Sequence, residues 1–252
     1  MTPSTLRRER VARLDRLDFG RFDVGPGKRL IPISGWLITT DAGRHLLLDT
    51  GFPPAYAHNE RHMALADGLD SFGRLVGFGP QHTALGALAA RGLAARDISH
   101  ILLSHSHIDH IGGLPDFPDA EIILATAERA LPRPLYFGTA RPMPWPDANY
   151  RLLDRTTEIC TGLRMIATPG HTPGHMSALI RLPGQAVVLA VDAINRSSEP
   201  SEGYPDAMDP VTAALSGARL RALVRRHRAQ MIHGHEPIGP LAVPSSLHEG
   251  SG

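Results

Sequence analysis

Cysteine, lysine and long apolar runs are all scarce in this chain of 252 residues. Cys160 is the single cysteine, which excludes a disulfide framework and a thiolate zinc site within one chain. No run approaches the roughly 20 apolar residues that a membrane-spanning helix needs. The segment 1–15 is charged and lacks the apolar centre of a signal peptide. These absences predict a soluble protein of the cytoplasm.

The chain also lacks an excess of charge of either sign. Lys+Arg number 26 and Asp+Glu number 25, so the net charge is +1. This balance gives nucleic acid or an anionic membrane no electrostatic attraction, and we expect neither as a partner. With 42% hydrophobic and 20% charged residues the composition is that of a globular protein. We expect one domain over residues 1–243 and a flexible, small and polar tail over residues 244–252.

The pattern of apolar residues predicts alternating strands and helices. We expect strands at residues 30–40, 44–50, 98–104, 121–125, 162–168, 176–182, 185–192 and 230–233. We expect helices at residues 83–91 and from Asp209-Pro210 to about His227, with irregular chain at 52–81 and a proline-rich loop at 131–149. Two groups of strands, each followed by a helix, favour a layered α/β sandwich over a doubly wound sheet.

Histidine is what the chain has in excess, with 14 residues of this type. His105, His107, Asp109 and His110 fall within six positions directly after the expected strand 98–104. Buried polar groups at this density would cost several kcal/mol if they had no partners. Imidazole nitrogen and carboxylate oxygen are ligands that suit zinc and related divalent ions. The motif therefore predicts a metal site, with His105 and His107 facing one ion and Asp109 and His110 a second.

Three more groups of polar residues follow strands later in the chain. They are the segment TPGHTPGH with His171 and His175, then Asp192 at the end of an apolar strand, and HGHE with His233 and His235. Because every group stands at a strand end, all of them can meet at one edge of the fold, as a site requires.

These motifs, in this order, resemble those of the metallo-β-lactamase superfamily. HSHIDH is the most specific of them, and Leu48-Asp49-Thr50-Gly51 is similar to an early Asp-Thr-Gly of that family. The resemblance implies an α/β fold of the four-layer αββα type in a single hydrolase domain, with a dinuclear metal site at one edge.

The resemblance also implies a role for each residue of the motifs. One ion would be bound by His105, His107 and His171, the other by Asp109, His110 and His235, and Asp192 would bridge both. Asp49 is interpreted as a carboxylate that orients a ligand, and His175 as a neighbour of the ligands; His235 is preferred to His233 because of its match to the family's last ligand. Two such ions can hold a bridging hydroxide and polarise a carbonyl, with Asp109 holding the proton. Zinc is favoured, and iron, manganese or cobalt are alternatives.

Within the superfamily the chain is most similar to the N-acyl homoserine lactonases, which open a lactone ring and are often dimers. The resemblance implies a small lactone or ester as substrate and leaves a homodimer open. Lactonases of this group usually carry a tyrosine three residues after the bridging aspartate, where this chain has Asn195. Either another group such as Tyr204 takes this catalytic role, or the substrate differs.

Aromatic residues of the two loops are candidates for an acyl-chain groove, with packing of the loops themselves as the alternative. They are Phe72, Phe78, Tyr136, Phe137 and Trp145.

Other functions within the same superfamily stay open. They are hydrolysis of other lactones, aryl esters, phosphotriesters or, as in glyoxalase II, thioesters. A metal-binding protein without hydrolytic activity is the alternative of a different class. β-Lactam hydrolysis is disfavoured because Asp192 stands where common zinc β-lactamases carry a cysteine.

Overall fold

The computed structural model describes residues 6–25, 29–136, 138 and 141–237. The described strands are β1 (Val11–Val24), β2 (Arg29–Thr40), β3 (His45–Leu48), β4 (Gly73–Val76), β5 (Ile98–Leu102), β6 (Glu121–Ala125), β7 (Tyr150–Leu153), β8 (Thr157–Cys160), β9 (Leu163–Ala167), β10 (Met176–Leu182), β11 (Gln185–Val191) and β12 (Gln230–His233). The described helices are α1 (Tyr56–Asp67), α2 (Ala84–Ala89), α3 (Ile108–Ile111), α4 (Thr126–Arg129), α5 (Glu199–Glu202) and α6 (Pro210–His227). None of these helices is long and apolar enough to cross a membrane.

The strands form two sheets that pack face to face. One sheet has seven strands in the order β4-β1-β2-β3-β5-β6-β7, and the other has five in the order β12-β11-β10-β9-β8. Alternate side chains of a strand point to opposite faces, so Leu46 and Leu48 enter the core between the sheets while Leu47 packs on the outer face. The four-layer αββα fold expected from the sequence is confirmed.

Helices cover the outer face of each sheet. Residues of α1, α2 and α3, such as Tyr56, Leu88 and Ile111, belong to the core on the outside of the seven-stranded sheet. Ala213 and Leu220 of α6 pack on the outside of the five-stranded sheet. Both faces of each sheet are therefore packed against apolar side chains. The candidate site lies at the ends of the strands.

Most of the elements expected from the sequence are present. Strands β6, β10 and β12 and helix α6 have the expected bounds, and within the described part of 131–149 there is no regular strand or helix. The tail expected at 244–252 lies outside the described residues.

The expectation of irregular chain over residues 52–81 is wrong, because this segment contains α1 and β4. Only Tyr56, Ala64 and Asp67 of α1 are buried, so the helix lacks the regular apolar stripe by which a sequence reveals one. Strands β1, β7 and β8 also have no counterpart among the expected elements. In β1 the exposed and partly exposed positions carry charged residues such as Arg13, Asp15 and Arg21. These residues interrupt the alternation of apolar and polar side chains, so the pattern does not predict a strand.

The topology places five strand ends at one edge of the sandwich. β3 and β5 are parallel neighbours in one sheet. In the other sheet β9 and β11 are both antiparallel to β10, and β12 is parallel to β11. Parallel strands end at the same edge, so the loops that follow β5, β9, β11 and β12 meet there.

Candidate metal centre

The loop after β5 presents the first ligand candidates. His107 precedes α3 with an extended backbone (φ −72°, ψ 156°), and Asp109 and His110 occupy the first turn of that helix. Gly112 and Gly113 let α3 approach the neighbouring loop, because a Cβ on Gly112 would lie 2.2 Å from the backbone nitrogen of Pro53.

Four buried or half-buried side chains converge in a first group. The Nδ1 atom of His107 lies 3.0 Å from Nε2 of His105 and 3.0 Å from Nε2 of His171. Nε2 of His171 in turn lies 3.3 Å from Oδ2 of Asp192. One atom from each of these four residues falls within 4.8 Å of the others, a spacing that one cation can satisfy.

A second group adjoins the first through Asp192. It consists of Asp109, His110 and His235, whose donor atoms also lie within 4.8 Å of one another. Oδ2 of Asp192 is 3.2 Å from Nε2 of His235 and 3.6 Å from Nε2 of His110. The same carboxylate therefore faces both groups, as the sequence prediction of a bridging aspartate requires.

The buried polar atoms of the cluster fit a bound cation. Nε2 of His110 and Oδ1 of Asp192 are buried and have no hydrogen-bond partner among the described residues. Nδ1 of His110 donates to Asp49 and Nδ1 of His235 lies 3.1 Å from the carbonyl oxygen of Pro32, which can only accept. These partners direct the Nε2 atoms into the cluster, where a divalent ion would take up their lone pairs after displacing any proton that they carry.

Asp49 orients two of the imidazoles from behind. Its carboxylate accepts hydrogen bonds from the backbone and hydroxyl of Ser104 and from Nδ1 of His110. The Ser104 hydroxyl lies 3.0 Å from Nδ1 of His105. Asp49 has a φ of 62°, a left-handed conformation that is costly for a residue other than glycine and is common at functional sites.

His175 and His233 both lie next to the cluster, outside the two groups. Nε2 of His175 accepts a hydrogen bond from the backbone N–H of Asp192, and its Nδ1 lies 2.9 Å from the hydroxyl of Thr168. His233 forms a 2.8 Å contact with Glu236 instead. Of the two histidines of HGHE, the structure brings His235 to the cluster.

Glu128 connects the loops of the candidate ligands and is not predicted from the sequence. One of its carboxylate oxygens accepts hydrogen bonds from the backbone and hydroxyl of Ser106, and the other accepts from the Thr172 hydroxyl and the Gly174 backbone. This buried carboxylate therefore ties the loop of His105 and His107 to the loop of His171. Glu128 is far from both loops in sequence and belongs to no motif, so no local signal identifies it.

The electrostatics of the cluster favour cation binding. Burial lowers the pKa of His105 and of His171 well below the ordinary value. Burial alone would raise the pKa of Asp109, but the charge of His110 outweighs it and lowers that pKa to about 2. Two imidazoles are thus neutral and one carboxylate is ionised at neutral pH, as metal ligands must be.

His235 differs from these two histidines. Burial alone would lower its pKa, but the carboxylate of Asp192 outweighs burial and raises the pKa to about 8. A cation that binds here at pH 7 would therefore displace a proton.

A pocket of about 320 Å³ opens above the cluster. His107, Asp109, His171, Asp192 and His235 line its polar side. Its other walls carry Val24, Ile31, Phe72 and Tyr136 and the polar residues Arg29, Asn195 and Asp206. The pocket joins an apolar wall to the candidate ligands, which suits a substrate with an apolar tail and a reactive polar group.

The structure brings two of the five expected aromatic residues to this pocket, Phe72 and Tyr136. Phe78 instead packs on Phe52 and His82. Trp145 packs against Tyr150 and donates a hydrogen bond to the carbonyl of Leu131. Phe137 lies outside the described residues.

Tyr204 does not reach the cluster, in contrast to the role considered for it. Its hydroxyl accepts a hydrogen bond from Arg221, and it packs so closely on Gly217 that no Cβ would fit there. Both of those residues belong to α6, so the phenol faces the helix rather than the pocket.

Asn195 does line the pocket. Its backbone N–H and its side-chain amide both donate to the buried Glu199, the latter at 3.4 Å, and its Oδ1 has no partner within the described chain. Asparagine therefore occupies the wall where the resemblance implies a tyrosine.

Comparisons with known proteins agree with this geometry. The N-acyl homoserine lactonase of Bacillus cereus is 30% identical over 217 residues, which cover 84% of each chain. The N-acyl homoserine lactonase AiiA of Bacillus thuringiensis subsp. kurstaki is 31% identical over 220 residues, again with 84% of each chain covered.

Solved structures with the same fold carry lactone-derived products. A mutant of B. thuringiensis AiiA with N-decanoyl-L-homoserine bound at the active site superposes with a TM-score of 0.77 at 27% identity, covering 90% of this chain and 94% of that one. An N-acyl homoserine lactone hydrolase with N-hexanoyl-L-homoserine at its catalytic metal centre gives a TM-score of 0.76, with the same identity and coverage. The sequence profile of the metallo-beta-lactamase superfamily matches residues 29–235, from β2 to the last candidate ligand, and the chain belongs to that superfamily.

Proposed function

We propose that the protein is a metal-dependent hydrolase that opens the ring of N-acyl homoserine lactones. The observation that carries the proposal is the convergence of seven histidine and aspartate side chains, Asp192 among them, beside a pocket with an apolar wall. The relatives whose names specify this activity cover 84% of the chain, which supports the choice of substrate.

The proposed cofactor is a pair of divalent ions, of which zinc is the best candidate. His105, His107 and His171 would hold one ion, Asp109, His110 and His235 the other, and Asp192 would contact both. When bound, such a pair supplies a Lewis acid for a carbonyl oxygen and a water of lowered pKa as nucleophile. Imidazole and carboxylate ligands suit zinc, and they also accept iron, manganese or cobalt.

The protein's own residues would position the ester and move the proton. In the overall reaction a water oxygen bonds to the lactone carbonyl carbon, the ring C–O bond breaks, and the ring oxygen takes up a proton. Asp109 lines the pocket and is ionised at neutral pH, so its carboxylate can hold that proton and deliver it to the leaving oxygen.

The acyl group would lie along the apolar side of the pocket. Val24, Ile31 and Phe72 line the same pocket as the candidate ligands. Burial of an apolar acyl chain against this wall favours binding by about 25 cal/mol per Å² of apolar surface removed from water.

Asn195 stands where the resemblance implies a tyrosine. This difference favours a second candidate function in the same site, which is the hydrolysis of another class of lactone or ester.

We further propose that residues 1–243 act as a single hydrolase domain and that the protein works in the cytoplasm. The superfamily match at 29–235 spans strands of both sheets and supports the first point. The single, buried cysteine is consistent with a reducing compartment and supports the second.

A substrate panel tests the proposal. Purified protein is assayed with acyl homoserine lactones of several chain lengths, other lactones, aryl esters, a phosphotriester and S-lactoylglutathione. We expect the highest kcat/KM for an acyl homoserine lactone, and we expect His107→Ala and Asp192→Asn to lose this activity while keeping the fold. Glu158→Gln, an exposed change remote from the pocket, is the control and should keep full activity.

Other outcomes would discriminate between the alternatives. A clear preference for an ester or thioester would replace the lactone by the second candidate function. Unchanged activity in His107→Ala or Asp192→Asn would contradict the assigned site.

A further inference from the structure

Asn195 occupies a fixed position in the pocket wall beside the candidate ligands. The residue lines the pocket and is only 3% exposed. It directly follows the short 3-10 helix Asp192–Ile194, and its carbonyl oxygen accepts a hydrogen bond from the backbone N–H of His235. Its backbone is therefore tied to two proposed ligands, close to the place where a substrate carbonyl would react.

Glu199, the first residue of α5, sets the orientation of the Asn195 side chain. Glu199 is buried, and its carboxylate accepts hydrogen bonds from both the backbone N–H and the side-chain amide of Asn195. An ionised carboxylate can only accept hydrogen bonds, so Nδ2 of the amide must face it. The other polar atom of the amide, Oδ1, is therefore turned away from Glu199.

This Oδ1 is a buried acceptor without a partner. Among the residues that the structure describes, no donor forms a hydrogen bond with it. The other two side-chain acceptors that line the pocket and are not proposed ligands do have partners, since Asp206 pairs with Arg196 at 2.9 Å and the Tyr136 hydroxyl donates to Asp67. Native proteins leave few buried polar atoms unpaired, and such an atom in a pocket wall indicates a ligand that supplies the missing partner.

The missing partner must be a hydrogen-bond donor. The carbonyl and ring oxygens of a lactone can only accept hydrogen bonds, so neither of them can pair with Oδ1 of Asn195. A secondary amide on the carbon next to the reacting carbonyl carries an N–H. This N–H lies between the reacting group and the acyl chain, and hence within the pocket that Asn195 lines.

We propose that Asn195 is a specificity-determining residue whose Oδ1, oriented by Glu199, accepts a hydrogen bond from the amide N–H of an α-acylamino lactone or ester. The inference rests on the proposed function and goes beyond it, because it restricts both candidate functions to substrates that carry this N–H. A tyrosine in the same place could donate its hydroxyl proton to a substrate oxygen, whereas Oδ1 of Asn195 can only accept.

Two lactones that differ in one group test the inference. N-hexanoyl homoserine lactone carries the N–H, and in its carba analogue a CH₂ group replaces the N–H. We expect the unmodified protein with metal bound to have a kcat/KM roughly 10- to 100-fold higher for the amide, because the analogue leaves Oδ1 unpaired. Both values are measured on the same sample, so a fraction of unfolded protein lowers both alike and leaves their ratio unchanged.

Three variants assign this preference to the two residues. Asn195→Leu removes the acceptor at similar volume and should bring the ratio to about 1. Glu199→Gln should lower the ratio in part, because a glutamine amide can donate as well as accept and no longer fixes the orientation of Asn195. Asn149→Leu is the matched control at an exposed asparagine outside the pocket wall, and it should keep the full ratio.

Calorimetric binding of the two ring-opened acids gives a readout that needs no turnover. N-hexanoyl homoserine should bind with a lower Kd than its carba counterpart, and this difference should disappear in Asn195→Leu.

The outcomes separate this inference from the proposed function. A ratio near unity in the unmodified protein, or the full ratio in Asn195→Leu, would overturn the inference and leave lactone hydrolysis in place. The full ratio in Glu199→Gln would contradict the positioning role of Glu199. If the unmodified protein hydrolyses neither lactone, the proposed function fails and the inference fails with it.

Discussion

Two buried carboxylates that are not proposed as ligands hold the ligand loops in position. Asp49 fixes His110 and, through Ser104, His105, whereas Glu128 connects the loop after β5 with the loop after β9. Each is buried and accepts several hydrogen bonds, and a hydrogen bond to an ionised group is stronger than one between neutral groups. The precision of the cluster therefore depends on two carboxylates that are not proposed as ligands themselves.

We predict that Glu128→Gln destabilises both the fold and the metal site. The amide keeps one acceptor oxygen and turns an NH₂ group toward two donors, which should cost about 2 to 4 kcal/mol of unfolding free energy. Metal affinity should fall by roughly 10- to 100-fold, as for other residues that support ligands. Urea unfolding and metal titration measure the two effects, with Glu158→Gln as the exposed control; equal values for both variants would refute this role.

At the level of single residues, local patterns predict the candidate ligands better than they predict Glu128. His105, His107, Asp109 and His110 are close in sequence, and the other candidates each follow a strand. Glu128, and the orientation of Tyr204 toward α6, depend on contacts between segments distant in the chain. Those contacts leave no local pattern.

The elements of the fold bring the site together through close approaches of backbone. Gly170, in the loop that carries His171, has a φ of 132°, and a Cβ there would lie 2.3 Å from the backbone nitrogen of Ala213 in α6. The hydroxyl of Ser216 also donates to the carbonyl of Pro169. Helix α6 thus supports the His171 loop from outside the five-stranded sheet.

We predict that Gly170→Ala separates α6 from this loop. Backbone strain alone should cost about 1 to 2 kcal/mol, and the steric overlap should add about 1 to 3 kcal/mol. Gly92→Ala is the matched control, since Gly92 also has a positive φ (73°) but no heavy atom within 4 Å of the added Cβ. Thermal unfolding should show a clearly larger loss for Gly170→Ala, and equal losses would contradict the proposed contact.

At the level of elements, sequence patterns succeed where burial is regular. The apolar strands β10 and β11 and the capped helix α6 follow simple rules of periodicity and capping. Strand β1 and helix α1 do not, because six of the fourteen residues of β1 are charged and α1 buries few of its residues. Their structure is determined by pairing with β2 and by packing on the core, which a local pattern does not contain.

In the whole molecule the candidate metal centre joins the two sheets. His105, His107, Asp109 and His110 follow β5 of the seven-stranded sheet, whereas His171, Asp192 and His235 follow strands of the five-stranded sheet. Ions bound at this edge would connect both halves of the sandwich, so metal binding should contribute to folding stability as well as to hydrolysis.

The metal content of the purified, dialysed protein, measured by elemental mass spectrometry after expression with ample zinc, tests the central claim most directly. Two groups of ligands that share Asp192 predict about two ions per chain, as in two-metal hydrolases. Asp192→Asn should lower this number, since both ions would lose a charged ligand. A value near zero in the unmodified protein, or the same value in the variant, would contradict a dinuclear hydrolytic site.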